Sequence, residues 1–177
     1  MTQLAEPVEF TLESIYEGAL KGASAEDITA YGNAVTKLQK RAMSATTVLG
    51  QVKETMELLR VAIDRTPSDV SQLEAKFASI QRELNDINKA FSGLESRNRK
   101  GIKPANIMSR LRYARSALGS SYGPTQQHKD QLGYAEDELN QVSARIKTLQ
   151  ETTVPALQQA VVNEGGPWTA GIPVITN

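Results

Sequence analysis

No cysteine occurs among the 177 residues. Disulfides and Cys-ligated metal sites are thereby excluded, and the redox compartment is left open. Aromatic residues make up only 5% of the chain, with a single tryptophan and a single histidine. That is thin for a sandwich or barrel, and the many Ala, Leu, Gln, Glu and Lys residues favour helix. Neither sign of charge is in excess, since 20 Lys and Arg face 20 Asp and Glu. A general nucleic-acid binder is usually strongly basic, so no nucleic-acid partner is expected. No apolar run approaches the ~18 residues of a membrane span, so no membrane partner is expected either. The opening "MTQLAEPVEF" lacks the basic and apolar regions of a signal peptide. If the protein is exported, its signal is expected to lie elsewhere.

What is present is helical periodicity. Ser24 and Asp27 are spaced as a capping pair. Apolar positions then recur at Ile28, Tyr31, Val35, Leu38, Ala42, Ala45, Leu49, Val52, Met56, Leu59 and Ile63. The alternating spacing of three and four is a heptad seam, as in helices packed at shallow angles. The first helix is expected over about 24–65, roughly 60 Å long at ~1.5 Å per residue. In "DRTPSD", Thr66 is read as a cap, Pro67 as a first helical position and Asp69 as a favourable charge. The second helix is expected over 67–98, with Val70, Leu73, Phe77, Ile80, Leu84, Ile87, Phe91 and Leu94 on its seam. "SRNRKGIKP" ends it. A short third helix follows over 104–119, with Ile107, Leu111, Ala114 and Leu118 inward. Thr125 caps a fourth over 125–164, whose seam runs Leu132, Ala135, Leu139, Val142, Ile146 and Leu149. Pro155 is expected to interrupt that helix near Thr152–Thr153, and Gly165–Gly166 to end it.

Short connections between four helices give an all-α, up-down-up-down bundle, expected over 24–164 and monomeric as an isolated domain. Residues 1–23 are expected to form a strand and linker. Val8, Phe10 and Leu12 alternate with Glu9, Thr11 and Glu13 in a strand pattern with one apolar face. In an alternating bundle the end of helix four lies beside the start of helix one. The extended tail 165–177, "GGPWTAGIPVITN", is then expected to cap the same end as the strand, with Trp168 packed near Phe10.

Chemistry is harder to find. His128 lies in "TQQHKDQ" with Asp130 two positions away, a spacing that does not share a helix face. A metal site needs three or four ligands and a base needs an organised partner, so His128 reads as a solvent-facing polar turn. Carboxylates in "EDITAY", "KETMELL" and "AEDELN" read as solvated faces, including Glu136 beside Asn140. No phosphate-binding Gly loop leads into a helix. No catalytic, metal or cofactor residue is assigned, and no cofactor is expected. The strongest charge feature is the run Arg97, Arg99, Lys100, Lys103, Arg110, Arg112 and Arg115, read as a candidate interaction face. A free-standing adaptor or chaperone that holds a partner helix is the alternative, and an enzyme ranks last.

The last fifty residues carry a resemblance. Pro124–Thr125 with Gln127 near, Val154–Pro155–Ala156–Leu157, and Gly166–Pro167–Trp168–Thr169–Ala170–Gly171 resemble the close of large bacterial sortilin-like, BNR-repeat β-propeller proteins, often labelled glycosyl-hydrolase-like. The "PVEFTL" stretch and the heptads after it look like the helical hairpin that follows the propeller in that family. The resemblance implies a non-catalytic C-terminal structural or interaction module of a larger exported protein. Its partner would be the rest of the parent chain or another protein, and its compartment extracytoplasmic. A propeller fold does not itself fix a reaction.

Overall fold

The structure, a computed structural model, describes residues 8–11, 22–93 and 105–167. The protein is all-helical across them, with no strand among the described residues. The order is α1 (Ala25–Asp64), α2 (Ser71–Ser92), α3 (Ile107–Ser116) and α4 (Gln126–Thr148). A π-helical turn (Leu149–Thr153) then joins α4 to α5 (Val154–Asn163), so α4, the turn and α5 form one rod and the helices number four.

Local chemistry sets the ends. The Asp27 backbone N–H donates to the Ser24 side chain at 3.0 Å, satisfying one of the orphan donors of the first turn. α2 begins later than the turn sequence suggests. Thr66 turns its hydroxyl back to the Ala62 carbonyl, and Asp69 instead accepts from the Ser71 backbone N–H at 3.0 Å. Asn106 and Ser109 form a reciprocal capping box at the start of α3. Gly165, at φ +76°, lets the chain turn out of α5 while Gly166 N–H closes on the Val161 carbonyl.

The seams are buried as their spacing implies. One core runs the length of the molecule through Leu38, Leu49, Met56 and Ile63 of α1, Leu73, Ile80 and Leu84 of α2, Ile107 and Leu111 of α3, and Leu139, Ile146 and Val161 of the last rod. A smaller cluster of Tyr31, Val35, Ala114 and Ala117 closes one end. Leu118 departs from its expected inward place and is 41% exposed.

The directions of the helices differ from the expected alternation. Contacts between α1 and the last rod keep a nearly constant offset. Tyr31 bonds the His128 carbonyl, 97 residues on, and Arg41 bonds Glu136 and Asn140, 95 and 99 on. Ser68, in the turn after α1, bonds Glu164, 96 on. A constant difference means the two rods run parallel. α2 runs against α1, since Arg60 lies over the Phe77 ring while Lys53 reaches Asn88. α3 continues in the direction of α2. Tyr31 meets Ala114, while Thr46 and Gly50 share a groove with Met108. Gly93, at φ +80°, ends α2 against the start of α3, where a Cβ would stand 2.9 Å from Asn106 Nδ2. The molecule is therefore a three-limbed bundle, up-down-up, whose middle limb is α2 and α3 set end to end. The up-down-up-down order is corrected accordingly.

That topology also sets residues 22–23 and residues 164–166 at different ends. Ala23 N–H donates to the Tyr122 carbonyl, and a Cβ on Gly123 would meet Ala23 at 2.7 Å. The described N-terminal side thus sits at the α3–α4 connection. Residues 164–166 lie at the other end, against Thr66 and Ser68. Residues 8–11 form no strand, and Phe10 is 79% exposed rather than packed in a cap. Trp168 lies outside the described residues.

Pro155 interrupts the last helix as expected, and the form of the interruption is informative. Buried Leu149 and Val154 are five apart, one more than an α-helical seam allows. Pro155 has no N–H to donate, and its ring would clash with a carbonyl four residues back. The π-helical turn absorbs the extra residue and returns Val154, Leu157 and Val161 to the core. The Thr153 hydroxyl donates to the Thr148 carbonyl, five residues back.

Because the chain has no cysteine, the topology is open to labelling. Cysteines placed at Glu26 and Glu164 should report a dye separation of about 60 Å, the length of a 40-residue helix. An up-down-up-down bundle would instead bring those sites to about 10 Å, the spacing of neighbouring helices.

Candidate functional site

The end of the rod that carries Tyr31 gathers several of the residues singled out from the sequence, His128, Asp130, Arg112 and Arg115 among them. The buried Tyr31 hydroxyl lies between two backbone carbonyls, Ala114 at 2.9 Å and His128 at 3.1 Å. One proton is shared between two acceptors, so α1, α3 and α4 are held by a single group. Burial pushes the Tyr31 phenol above its usual value.

His128 is not a free polar residue of a solvent-facing turn. It is the third residue of α4, and its Nδ1 accepts from the Thr125 backbone N–H at 3.3 Å in a capping box. The Thr125 hydroxyl lies 2.7 Å from the same nitrogen. An accepting Nδ1 leaves the proton on Nε2, which faces Ser116 Oγ at 3.5 Å. The ring stacks on Tyr113 with centroids 4.8 Å apart. Asp130 is occupied separately, accepting from Gln126 at 2.7 Å. His128 and Asp130 are thus not brought together.

The basic run divides. Arg97, Arg99, Lys100 and Lys103 lie outside the described residues. Arg110 faces α4: it pairs with Glu138 at 3.2 Å, donates to Gln131 at 2.7 Å and lies 5.3 Å from the Tyr134 ring centroid. These contacts make Arg110 a fastener between α3 and α4. Arg112 and Arg115 are exposed and make no ion pair among the described residues. Sequence adds one fact to this division. Between residues 96 and 129 there are eight cations, the seven of the run plus Lys129, and no carboxylate. The rest of the chain holds twelve cations against twenty carboxylates.

Carboxylates that read as solvated faces turn out to link the limbs. Arg41 joins Glu136 at 3.0 Å and Asn140 at 2.5 Å. Arg145 and Glu83 meet at 2.6 Å between α4 and α2. The hydrogen bond from Arg145 holds the Glu83 carboxyl below its usual range, and Lys89 does the same for Asp86. The Ser71 backbone N–H lowers Asp69. The Glu83–Arg145 pair lines a surface groove of about 450 Å³, with Ser79, Ile80, Ala144, Thr148, Leu149 and Thr153. Its two charged side chains therefore satisfy each other. A smaller groove between α3 and α4 is lined by Ser109, Arg110, Tyr113, Gln127 and Gln131. Among the described residues, no three His, Asp or Glu side chains stand together as metal ligands, and no helix is long and apolar enough to cross a membrane.

Two outcomes follow from the Tyr31–His128 junction. His128→Ala should cost about 1–2 kcal/mol in chemical denaturation through loss of the cap and stack, whereas His128→Gln, a capping-box residue type, should cost less. Stability should also depend on pH at both extremes. The raised Tyr31 value means its contribution is present below the usual tyrosine pKa of about 10 and is lost as pH rises beyond it. The lowered Asp69, Glu83 and Asp86 values mean theirs is present above the usual carboxylate range and is lost as pH falls through the depressed values. Melting temperature against pH should show both limbs, with Tyr31→Phe flattening the alkaline one and Glu83→Gln weakening the acid one.

Compared with protein-family models, curated proteins and solved structures, the chain shows no match.

Proposed function

We propose that this chain is a non-catalytic structural and protein-interaction module that acts as a rigid spacer. The observation that carries this reading is the parallel register of α1 and the last rod, with offsets of 95 to 99 residues along the whole length. An odd number of limbs puts the described chain ends at opposite poles, about 60 Å apart. Whatever is attached at one pole is thereby held away from whatever is attached at the other. Two further features support a structural role. The seam positions are filled from within the chain, which supports a monomer and leaves little for a partner helix to fill. Arg41, Arg110 and Arg145 serve as links between limbs, paired with Glu136, Glu138 and Glu83.

The resemblance of the C-terminal fifty residues supports placing the module at the end of a larger exported sortilin-like propeller protein, in an extracytoplasmic compartment. Its partner is then the remainder of that parent chain or a second protein. An antibody raised against this chain tests the placement on fractionated source cells. A band far larger than 19.3 kDa in the exported fraction is the expected result. A band near that mass in the cytosol would overturn the family placement while leaving the spacer geometry to stand on its own.

A further inference from the structure

Arg112 and Arg115, on the outward face of α3, are charges that no ion pair among the described residues uses. Arg112 and Arg115 point away from the contacts that Arg110 makes, and α3 itself carries no carboxylate. Met108, Arg112 and Arg115 follow one another at spacings of four and three, so they form one stripe on the helix. Met108 is 40% exposed at its start, and Leu118 is 41% exposed just past the helix end. The surface therefore offers two unpaired guanidinium groups flanked by apolar side chains.

We propose that this stripe docks an acidic polypeptide segment that also carries apolar residues. The inference rests on the interaction-module reading and names the chemistry of its partner. Guanidinium groups bind carboxylates through paired N–H donors, and the bond strengthens as water is excluded by apolar neighbours. A short acidic peptide can lie along α3 and meet only cations. A long nucleic acid or an anionic membrane extends past the face toward the rest of a chain that holds twelve cations against twenty carboxylates, which repel it on balance. Nucleic acid also gains from open aromatic faces, and here Tyr113 is stacked on His128 while Arg110 lies over Tyr134.

The test is fluorescence anisotropy with a labelled glutamate-rich peptide containing leucines. A single-stranded oligonucleotide and phosphatidylserine vesicles serve as the other probes. Binding of the peptide should weaken as salt is raised, and Arg112→Glu with Arg115→Glu should weaken it at least ~10-fold, since like charges then face each other. The control is Lys37→Glu with Lys40→Glu on exposed positions of α1, which changes net charge equally and should leave peptide binding in place. Should the charge-reversed pair fail to fold by circular dichroism, Arg112→Gln with Arg115→Gln replaces it. Equal weakening by the α1 control, tighter binding of the oligonucleotide or vesicles than of the peptide, or no peptide binding at low salt would each overturn the proposal. None of these results bears on the 60 Å spacer, which the antibody and labelling measurements test separately.

Discussion

The rest of the molecule is arranged to cover the seam of α1. That helix is 40 residues long, and its apolar positions run from Tyr31 to Ile63 without a gap. Each large side chain left in water would forgo about 1.5–3 kcal/mol, so the seam has to be covered along its entire length. No following helix up to α4 is long enough to do this alone. α2 has 22 residues and α3 has 10. Set end to end in the same direction they nearly match α1, and the junction is made by two close-fitting caps, Gly93 and Asn106. The third limb matches α1 in one piece only because the π-helical turn at Leu149–Thr153 restores the phase that the sequence loses before Pro155.

Polar contacts choose the register rather than hold the limbs together. The pairs Arg41–Glu136 and Arg145–Glu83 are substantially exposed, and such pairs contribute about 0.2–1 kcal/mol each. A single buried leucine outweighs one of them. Yet apolar seams of period three and four tolerate a shift by one heptad, which would keep every apolar contact type in place. Arg41 bridging Glu136 and Asn140 fits only one alignment, and so does the Tyr31 hydroxyl between its two carbonyls. Parallel placement of α1 and α4 sets their dipoles side by side unfavourably. The antiparallel middle limb lies against both of them and offsets this.

Helix positions and core were legible because they rest on local spacing. Ser24, Thr125 and Gly165 mark ends that the backbone confirms, and most seam residues in the described chain are buried. Direction was not legible from the connections. A loop such as "SRNRKGIKP" reads the same whether the chain reverses or continues, since Gly and Pro end a helix in both cases. The signal that could have decided it was length: a helix of 10 residues spans about 15 Å and cannot pair with one of 60 Å. The role of His128 was missed for a different reason. Capping boxes are recognised by Glu or Gln at the third position, and a histidine there does the same work through Nδ1.

The arginines of α3 show how one short helix can serve the fold and remain available outside it. Arg110 lies two positions from Arg112, so the two side chains leave the helix on different sides. The inner one, with Glu138, Gln131 and the Tyr134 ring around it, meets the side of α4 where a carboxylate balances it. The outer two meet no carboxylate on α3 or in the connection after it. Cations kept near one another without counter-charges repel, and a fold under no other constraint would disperse them or pair them with the many carboxylates elsewhere on the chain. Arg112, Arg115 and Lys129, exposed near the pole where α3 meets α4 and with no carboxylate between them in the sequence, concentrate field there. The same length that separates the poles keeps that field away from the other end, because about 60 Å is several Debye lengths at physiological salt. The rod thereby gives its two poles independent electrostatic surroundings.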